Sequence, residues 1–257
     1  MYIIDAFASK PFEGNPAAVC PLKEWLDDEL MQKIASQNNL SETAFFVPDK
    51  NDYQIRWFTP TTEVDLCGHA TLATAFVLKE FLNYKKDKIS FISKSGLLNV
   101  SFEESGMIEL DFPVNISSSS PDKENVASLF KINIKNLYET KSWSLAELAS
   151  VNEVRNFQPD FELIKKLSKA ILVITAPGDD CDFVSRCFGP KVGIPEDPVT
   201  GSSHCILVPF WSVRLSKKEL HARQLSARGG ELFCKLAGER VKISGFARTY
   251  LSGKIIV

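Results

Sequence analysis

Three side chains in this sequence are of types that move protons or polarise a substrate: Glu42, His69 and Asp197. Glu42 falls where a predicted helix has ended and a predicted strand begins, a position that often holds site residues. Taken singly, each of the three has an ordinary structural explanation, such as a carboxylate that caps an element or a histidine satisfied in the core. Their types therefore indicate acid/base chemistry only if the fold brings them together.

Gly68 and Gly201 stand in two segments with a similar order of residues, 63–70 (EVDLCGHA) and 196–203 (EDPVTGSS). Each segment precedes an apolar helical pattern, and the first N–H groups of a helix bind anions because they lack acceptors within the helix. The offset of 201 − 68 = 133 residues indicates a weak duplication, which predicts two similar lobes with a cleft between them. Two such helix starts would hold a carboxylate, whereas a lone glycine would only make a turn.

Periodicity indicates the elements that must position these residues. Three acids at 27–29 begin a helical pattern that ends near Asn39, and a β-like run starts at Glu42. Residues 70–82 are apolar on nearly every face, which predicts a central helix covered on most sides. Residues 88–112 alternate as antiparallel hairpins. The second half is predicted to contain a helix over 161–167, strands over 170–176 and 183–188, and an apolar helix from about Ser203.

The domain boundary is predicted at a change of composition. Residues 117–122, four serines followed by a proline and an aspartate, are the one linker-like stretch of the first half. We therefore expect an N-terminal lobe over 1–115, which the last strand over 248–257 can join, and a C-terminal lobe over 116–247.

Composition excludes several functional classes. The net charge is −2 and no segment concentrates basic residues beside aromatic ones, so nucleic acid is not an expected partner. The longest apolar runs are too short to span a bilayer, and the first residues lack the pattern of a signal peptide, so we expect a cytoplasmic protein with no membrane partner. Six scattered cysteines predict free thiols.

A series of motifs, in order along nearly the whole chain, resembles the signatures of the phenazine-biosynthesis PhzF-like family. The stretch that resembles the family least is 114–157. The matching motifs are 12–19 (FEGNPAAV), 39–45 (NLSETAF), 56–60 (RWFTP), 66–71 (LCGHAT), 196–202 (EDPVTGS) and 228–232 (RGGEL).

The resemblance implies a fold and an activity. The implied fold is α+β and diaminopimelate epimerase-like, with two pseudo-symmetric lobes, each a curled antiparallel sheet or barrel around a central helix, assembled as a homodimer. The implied activity is an isomerase in which Glu42 takes a proton from one substrate carbon and returns it to another, shifting a double bond. The implied substrate is a small carboxylate with an acidified C–H, and the reaction requires neither a metal nor an organic cofactor.

The resemblance also assigns roles to individual residues. His69 and Asp197 join Glu42 as catalytic candidates. The remaining candidates contact the substrate: Gly68, Gly201, Ser202, Cys67 and Thr200.

Three alternatives remain. The same fold hosts racemases that use two thiols, but Thr200 stands where the second thiol should be, and a hydroxyl is too weak an acid, so Cys67 is read as a packed residue. A binding or regulatory protein that keeps the fold is the second alternative. The third is metal-dependent hydrolysis, which is disfavoured because its ligands lack the spacing of zinc sites: Cys67, His69, His204 and Cys205.

Overall fold

Two units make up the fold, and the chain returns to the first of them near its end. The computed structural model describes residues 1–257. The first unit comprises Met1–Phe112 with Lys242–Val257, and the second comprises Pro113–Val241. The lobe limits expected from the sequence were 1–115 with 248–257 and 116–247, and they stay predictions. Neither unit contains a helix of the length and apolarity needed to cross a bilayer.

Strands outnumber helices throughout the chain. The helices are α1 (Asp28–Asn38), α2 (Gly68–Phe81), α3 (Lys123–Phe130), α4 (Val151–Asn156), α5 (Phe161–Ile164) and α6 (His204–Leu215), with 3-10 turns at Pro190–Val192 and Gly201–Ser203. The strands are β1 (Tyr2–Ala6), β2 (Asn15–Pro21), β3 (Glu42–Asp49), β4 (Asp52–Phe58), β5 (Glu63–Val64), β6 (Lys88–Ser93), β7 (Gly96–Phe102), β8 (Ile108–Pro113), β9 (Ser118–Ser119), β10 (Asn136–Glu139), β11 (Trp143–Glu147), β12 (Ile171–Pro177), β13 (Phe183–Gly189), β14 (Ile194–Asp197), β15 (Glu219–Gln224), β16 (Gly230–Ala237), β17 (Arg240–Gly245) and β18 (Ala247–Ser252).

The first unit is a sheet that packs against the central helix α2. β1 pairs antiparallel with β2 and with β18, and β2 pairs parallel with β3. β3 and β4 form an antiparallel hairpin, and β6, β7 and β8 form an antiparallel meander. α2 packs on β1, β2 and β3, and every residue from Gly68 to Ala75 is buried. The all-round apolar pattern of this segment therefore correctly predicted a covered helix.

Helix α1 delivers the chain to Glu42. Its N-cap is Asp27, whose side chain accepts a hydrogen bond from the N–H of Glu29 at 2.9 Å. It ends at Asn39, which adopts the left-handed conformation at φ 50° and donates its N–H to Ala35 O. Asparagine tolerates this conformation better than most residues. Both predicted ends of α1 are confirmed, and β3 begins three residues after Asn39.

In the second unit, strands again pair around an apolar helix. β10 and β11, β12 and β13, and β15 and β16 pair antiparallel. α6 packs against β15 and β16 and is buried over most of its length. A separate hydrophobic core lies beneath α4 and α5, and its largest members include Phe157, Phe188, Leu172 and Ile174.

Helix α6 contains a proline whose missing N–H is compensated. Pro209 cannot donate to the carbonyl of Cys205 one turn earlier. The N–H of Asn115 donates to that carbonyl at 3.0 Å instead. Two residues later the indole Nε1 of Trp211 donates to Thr175 Oγ1 at 2.9 Å. The carbonyl that Pro209 leaves without a donor is therefore satisfied from outside the helix.

The structure departs from the sequence expectations at three places. The strand pairing is mixed rather than purely antiparallel, with parallel pairs β2–β3 and β4–β6 in the first unit and β11–β12 and β13–β15 in the second. The helix expected over 161–167 ends at Ile164, because the N–H groups of Lys166 and Leu167 bond three residues back and tighten the turn. The expected linker over 117–122 includes β9, which pairs with β10.

Candidate functional site

A buried polar cluster lies in the first unit where three elements begin. Glu42 is the first residue of β3, Asn15 is the first residue of β2, Cys67 is the N-cap of α2, and His69 lies in the first turn of α2. Their residues are 7%, 0%, 6% and 4% exposed, respectively. The parallel pairing of β2 with β3, together with the packing of α2 on both strands, brings the four side chains together.

His69 is the centre of this cluster. Its Nε2 lies 3.2 Å from Oε2 of Glu42, and its Nδ1 lies 3.3 Å from Nδ2 of Asn15 and 3.5 Å from Sγ of Cys67. The approach of Nε2 to Glu42 is not aligned for a hydrogen bond, although the distance is that of an ion pair. Burial lowers the pKa of His69 to about 3, so the imidazole is neutral at physiological pH. The contact therefore joins a carboxyl group to a neutral ring.

Asn15 determines which nitrogen of that ring carries the proton. An amide Nδ2 can only donate, so in this orientation Nδ1 of His69 is the acceptor. The ring proton then resides on Nε2, the nitrogen that faces Glu42. The cluster consequently presents a carboxyl group that can exchange a proton beside a neutral N–H donor.

The start of α2 adds backbone donors to the cluster. Cys67 makes no side-chain capping bond, and Thr71 is the first residue whose N–H bonds within the turn, to Cys67 O. By helix geometry, the N–H groups of Gly68 and the two residues after it have no acceptor inside α2. Gly68 thus lies at a helix start, as the sequence predicted, and its role in binding a carboxylate remains a prediction.

A second polar network lies in the second unit around Thr200. Its hydroxyl donates to Oδ2 of Asp197 at 2.6 Å and accepts from Nε2 of Gln224 at 3.1 Å. Its N–H donates to Oε1 of Gln224 at 2.9 Å, and Gln224 also donates to the carbonyl of Asp197. Gln224 is 1% exposed. The network holds Asp197 and Thr200 in one fixed arrangement.

Gly201 and Ser202 follow Thr200 in a 3-10 turn rather than in α6 itself, which begins at His204. The apolar helix expected from about Ser203 therefore begins one residue later, and Gly201 precedes it as expected. The carbonyl of Thr200 accepts from Oγ of Ser203 at 2.8 Å and from Nδ1 of His204 at 2.9 Å. Burial lowers the pKa of His204 to about 4, so this ring is neutral at physiological pH. Its Nδ1–H stabilises the turn by donating to the carbonyl of Thr200.

Glu42, Cys67 and His69 also form a group of potential metal ligands, because one ligand atom from each lies within 4.8 Å of the others. The zinc set considered from the sequence combined Cys67 and His69 with His204 and Cys205 instead. The spacing of residues along the chain could not reveal this group, because Glu42 comes from a different element.

Sequence reasoning missed two residues, Asn15 and Gln224. Asn15 lies in the motif FEGNPAAV, and its amide side chain at the start of a strand was the available signal. Gln224 ends a strand more than 20 residues after Thr200, and no local pattern connects the two residues. Their contacts depend on strand pairing.

Comparison with known proteins places these residues in a family. A family model described as phenazine biosynthesis-like protein (PhzC-PhzF) matches residues 4–253. The chain belongs to this family. A protein of Pseudomonas aeruginosa named an uncharacterized isomerase is 47% identical over 252 residues, which is 98% of this chain and 96% of that relative. The human phenazine biosynthesis-like domain-containing protein is 40% identical over 286 residues, covering 99% of this chain and 98% of its own.

Solved structures show the same fold. A PhzF-family protein of Enterococcus faecalis superposes with a TM-score of 0.96 at 43% identity, covering 100% of this chain and 98% of that one. A hydroxyproline epimerase of Agrobacterium vitis superposes with a TM-score of 0.61 at 10% identity, covering 97% of this chain and 90% of its own. The second likeness shows the fold alone, which is the α+β, diaminopimelate epimerase-like fold that the sequence motifs indicated.

Proposed function

We propose that this chain is an isomerase that moves a proton between two carbons of a small carboxylate substrate, with Glu42 as the proton-transferring residue. Relatives named isomerases that align over nearly the whole chain support the general class. The observation that carries the finer proposal is the position of the buried Glu42 carboxyl, 3.2 Å from the neutral ring of His69.

A single carboxyl group can complete this reaction. The carboxylate of Glu42 accepts a proton from one carbon while the double bond shifts. The resulting carboxylic acid, whose proton exchanges in part with solvent before it is returned, protonates the carbon at the other end of the allylic system. Burial disfavours a charged carboxylate, which helps a group that must both accept and return a proton. The oxidation level of the substrate does not change, so the step consumes neither an oxidant nor a reductant.

His69 supplies a hydrogen-bond donor. With Nδ1 occupied by Asn15, its Nε2–H can donate to negative charge that develops on a substrate oxygen or on Glu42. Neutrality is useful here, because an imidazolium beside Glu42 would stabilise the ionised carboxylate and weaken it as a base.

The other assigned residues belong to the same proposal. The free N–H groups at the start of α2, next to Cys67 and Gly68, would bind the substrate carboxylate. The second unit would contribute Asp197 as an acid/base group and Thr200, Gly201 and Ser202 as substrate contacts. Each of these roles remains a prediction, to be tested by the loss of substrate affinity in single variants.

The two-thiol racemase is less well supported than the single-carboxylate isomerase. Thr200, at the second thiol position, donates its only hydroxyl proton to Asp197 and accepts from Gln224. A hydroxyl held in this way is a poor proton donor to carbon, and its ordinary acidity is far below that of a thiol. Cys67 alone cannot act on both faces of a substrate carbon.

The proposal is tested by isotope exchange. Purified protein is incubated in D₂O with candidate small carboxylates that carry an acidified C–H, and deuterium incorporation is measured by mass spectrometry. We expect incorporation with the wild type and a decrease of at least about 100-fold in Glu42→Gln, because general acid/base catalysis contributes about 10²–10⁴-fold. Glu80→Gln, an exposed acid on α2, is the matched control and should exchange normally.

The outcome separates the two main readings. A binding or regulatory protein would retain its ligands and exchange deuterium in neither form. Exchange that survives in Glu42→Gln but disappears in Cys67→Ser would assign the chemistry to the thiol and contradict the proposal. The homodimer and the cytoplasmic location inferred from the sequence stay predictions, and light scattering on the purified chain tests the first.

A further inference from the structure

A pocket in the second unit lies against one face of α6. Its volume is about 410 Å³, within the range of about 300–1,000 Å³ that is typical of small-molecule sites. No residue of the candidate site lines it. Its apolar lining includes Ile116, Ile206, Pro209, Phe210, Val213 and Leu236. Two of these side chains are strongly exposed, Ile116 at 82% and Val213 at 78%.

The polar part of the lining includes Arg214 and Tyr138. Cζ of Arg214 lies 3.6 Å from the centroid of the Phe210 ring, and Nη2 forms an ion pair with Oε2 of Glu147 at 3.1 Å. Glu147 is only 8% exposed and also accepts from Nδ2 of Asn136 at 2.8 Å. Because a ring and a buried carboxylate both hold the guanidinium, its orientation is set before any ligand binds.

Arg214 and Tyr138 keep donors that the protein does not use. Nε and Nη2 of Arg214 face Glu147, and Nη2 also donates to the hydroxyl oxygen of Tyr138 at 2.9 Å. The two hydrogens of Nη1 have no acceptor within the chain. The Tyr138 hydroxyl accepts in its contact, so its own hydrogen is free to donate. The two free donors lie close together, and a carboxylate, which has two oxygens, can accept from both.

The lining also defines the rest of the ligand. Apolar side chains on α6 call for an apolar body. Glu147 already neutralises Arg214, so a singly charged carboxylate suits the pocket better than a doubly charged phosphate. A second copy of the chain is a less suitable occupant, because eleven residues line the pocket, whereas a stable interface involves about 20–30 residues on each side.

We infer that this pocket binds a small amphipathic carboxylate, with its apolar body on α6 and its carboxylate on Arg214 and Tyr138. The body would cover the exposed side chain of Ile116, and burial of that apolar surface contributes to affinity. Ile116 follows Asn115, whose N–H donates to the carbonyl of Cys205 in α6. A bound ligand would therefore hold this segment on the helix. The inference does not rest on the proposed function.

Octanoate is the probe of binding. The full chain is titrated with octanoate in a calorimeter, and octan-1-ol and octylamine provide the same body without the carboxylate. We expect octanoate to bind at least about tenfold more tightly than either, because charge-assisted hydrogen bonds are about twice as strong as neutral ones. Bound octanoate should also slow hydrogen exchange of the Asn115 amide, since it stabilises the contact with α6.

Variants locate the site. Ile116→Asp places a negative charge at the rim and should weaken octanoate binding by at least about tenfold. Val192→Asp is the matched control, because Val192 is also an exposed apolar residue of the second unit but does not line the pocket. Tyr138→Phe removes one donor and should weaken octanoate more than octan-1-ol. Circular dichroism verifies that each variant is folded, and the exposure of Ile116 makes its substitution compatible with folding.

Three results would overturn the inference. One is the absence of octanoate binding at millimolar concentration, and another is equal affinity for octanoate and octan-1-ol. The third is unchanged octanoate binding in Ile116→Asp, which would place octanoate at another site, such as the start of α2. If the wild type does not bind octanoate and Ile116→Asp dissociates a dimer in analytical ultracentrifugation, a second copy covers the pocket and the inference is wrong.

Discussion

At the scale of single residues, Asn15 at the start of β2 contacts His69 in α2 and favours one tautomer of its ring. Its amide lies 3.3 Å from Nδ1 of His69, and it is completely buried. Because the ring is neutral, its behaviour depends on which nitrogen holds the proton. Asn15 acts through His69 and does not itself exchange protons, so it is a positioning residue.

We predict that Asn15→Leu removes the hydrogen bond to Nδ1 and leaves His69 as a mixture of its two tautomers. We also predict that Asn15→Asp raises the pKa of His69, because a buried carboxylate favours the imidazolium. The chain has only three histidines, so ¹⁵N NMR can follow this ring directly. His221, which is half-buried in the second unit, should keep its chemical shifts and serves as an internal control. An unchanged His69 spectrum in Asn15→Leu would remove the positioning role.

The sequence pointed to the titratable residues of this cluster but not to Asn15, which contacts one of them. Glu42 and His69 stand out because their side chains titrate, and the resemblance of NLSETAF and LCGHAT to family signatures placed them together. An asparagine at the start of a strand has many ordinary uses, and its partner lies 54 positions away. Only the strand pairing and the packing of α2 bring the two side chains into contact.

At the scale of elements, Gln224 fastens the end of β15 to the turn that precedes α6. Its side chain accepts from the N–H of Thr200 and donates to two oxygens, those of Thr200 and Asp197. Gln224→Met keeps the shape but leaves these buried groups unsatisfied. We predict a loss of about 1–3 kcal/mol in the free energy of unfolding by urea.

The exposed residue Gln158 provides the comparison for this measurement. Gln158→Met should change the free energy of unfolding by less than about 0.5 kcal/mol, as substitutions at exposed positions usually do. If Gln224→Met were equally neutral, the network would not stabilise the turn.

Elements whose signals are local were predicted well, and those that depend on distant partners were not. The acids before α1 and Asn39 after it mark both ends of that helix, and the apolar surface of α2 marks it as buried. The parallel pairs escaped prediction because each joins strands separated by a helix or a long connection. A strand's own residues do not specify the direction of its neighbour.

At the scale of the whole chain, two buried neutral histidines link stability to pH. His69 lies in the first unit and His204 in the second, and burial lowers their pKa values to about 3 and about 4. In the unfolded chain each would have a pKa near 6.5. The unfolded state therefore binds more protons below pH 6.5, so stability is fully present above that pH and falls as the pH decreases toward 4.

We predict that each histidine costs about 2 kcal/mol of stability between pH 7.5 and pH 5.0, from about 1.5 pH units at 1.36 kcal/mol per unit. Thermal unfolding at the two pH values measures the effect. The double variant His69→Gln, His204→Gln should flatten the dependence, although it starts from a lower stability. The same steep loss in the double variant would assign it to the carboxylates instead.

Because of the proline inside α6, one amide in the segment before β9 can report on the opening of that helix. The N–H of Asn115 occupies the carbonyl that Pro209 leaves without a donor, so this amide is protected although Asn115 lies outside any strand or helix. In native-state hydrogen exchange, its deuteration should be slow and should match the opening of α6 rather than that of a loop. One amide, two residues before the predicted linker over 117–122, would therefore measure how often the buried helix of the second unit opens.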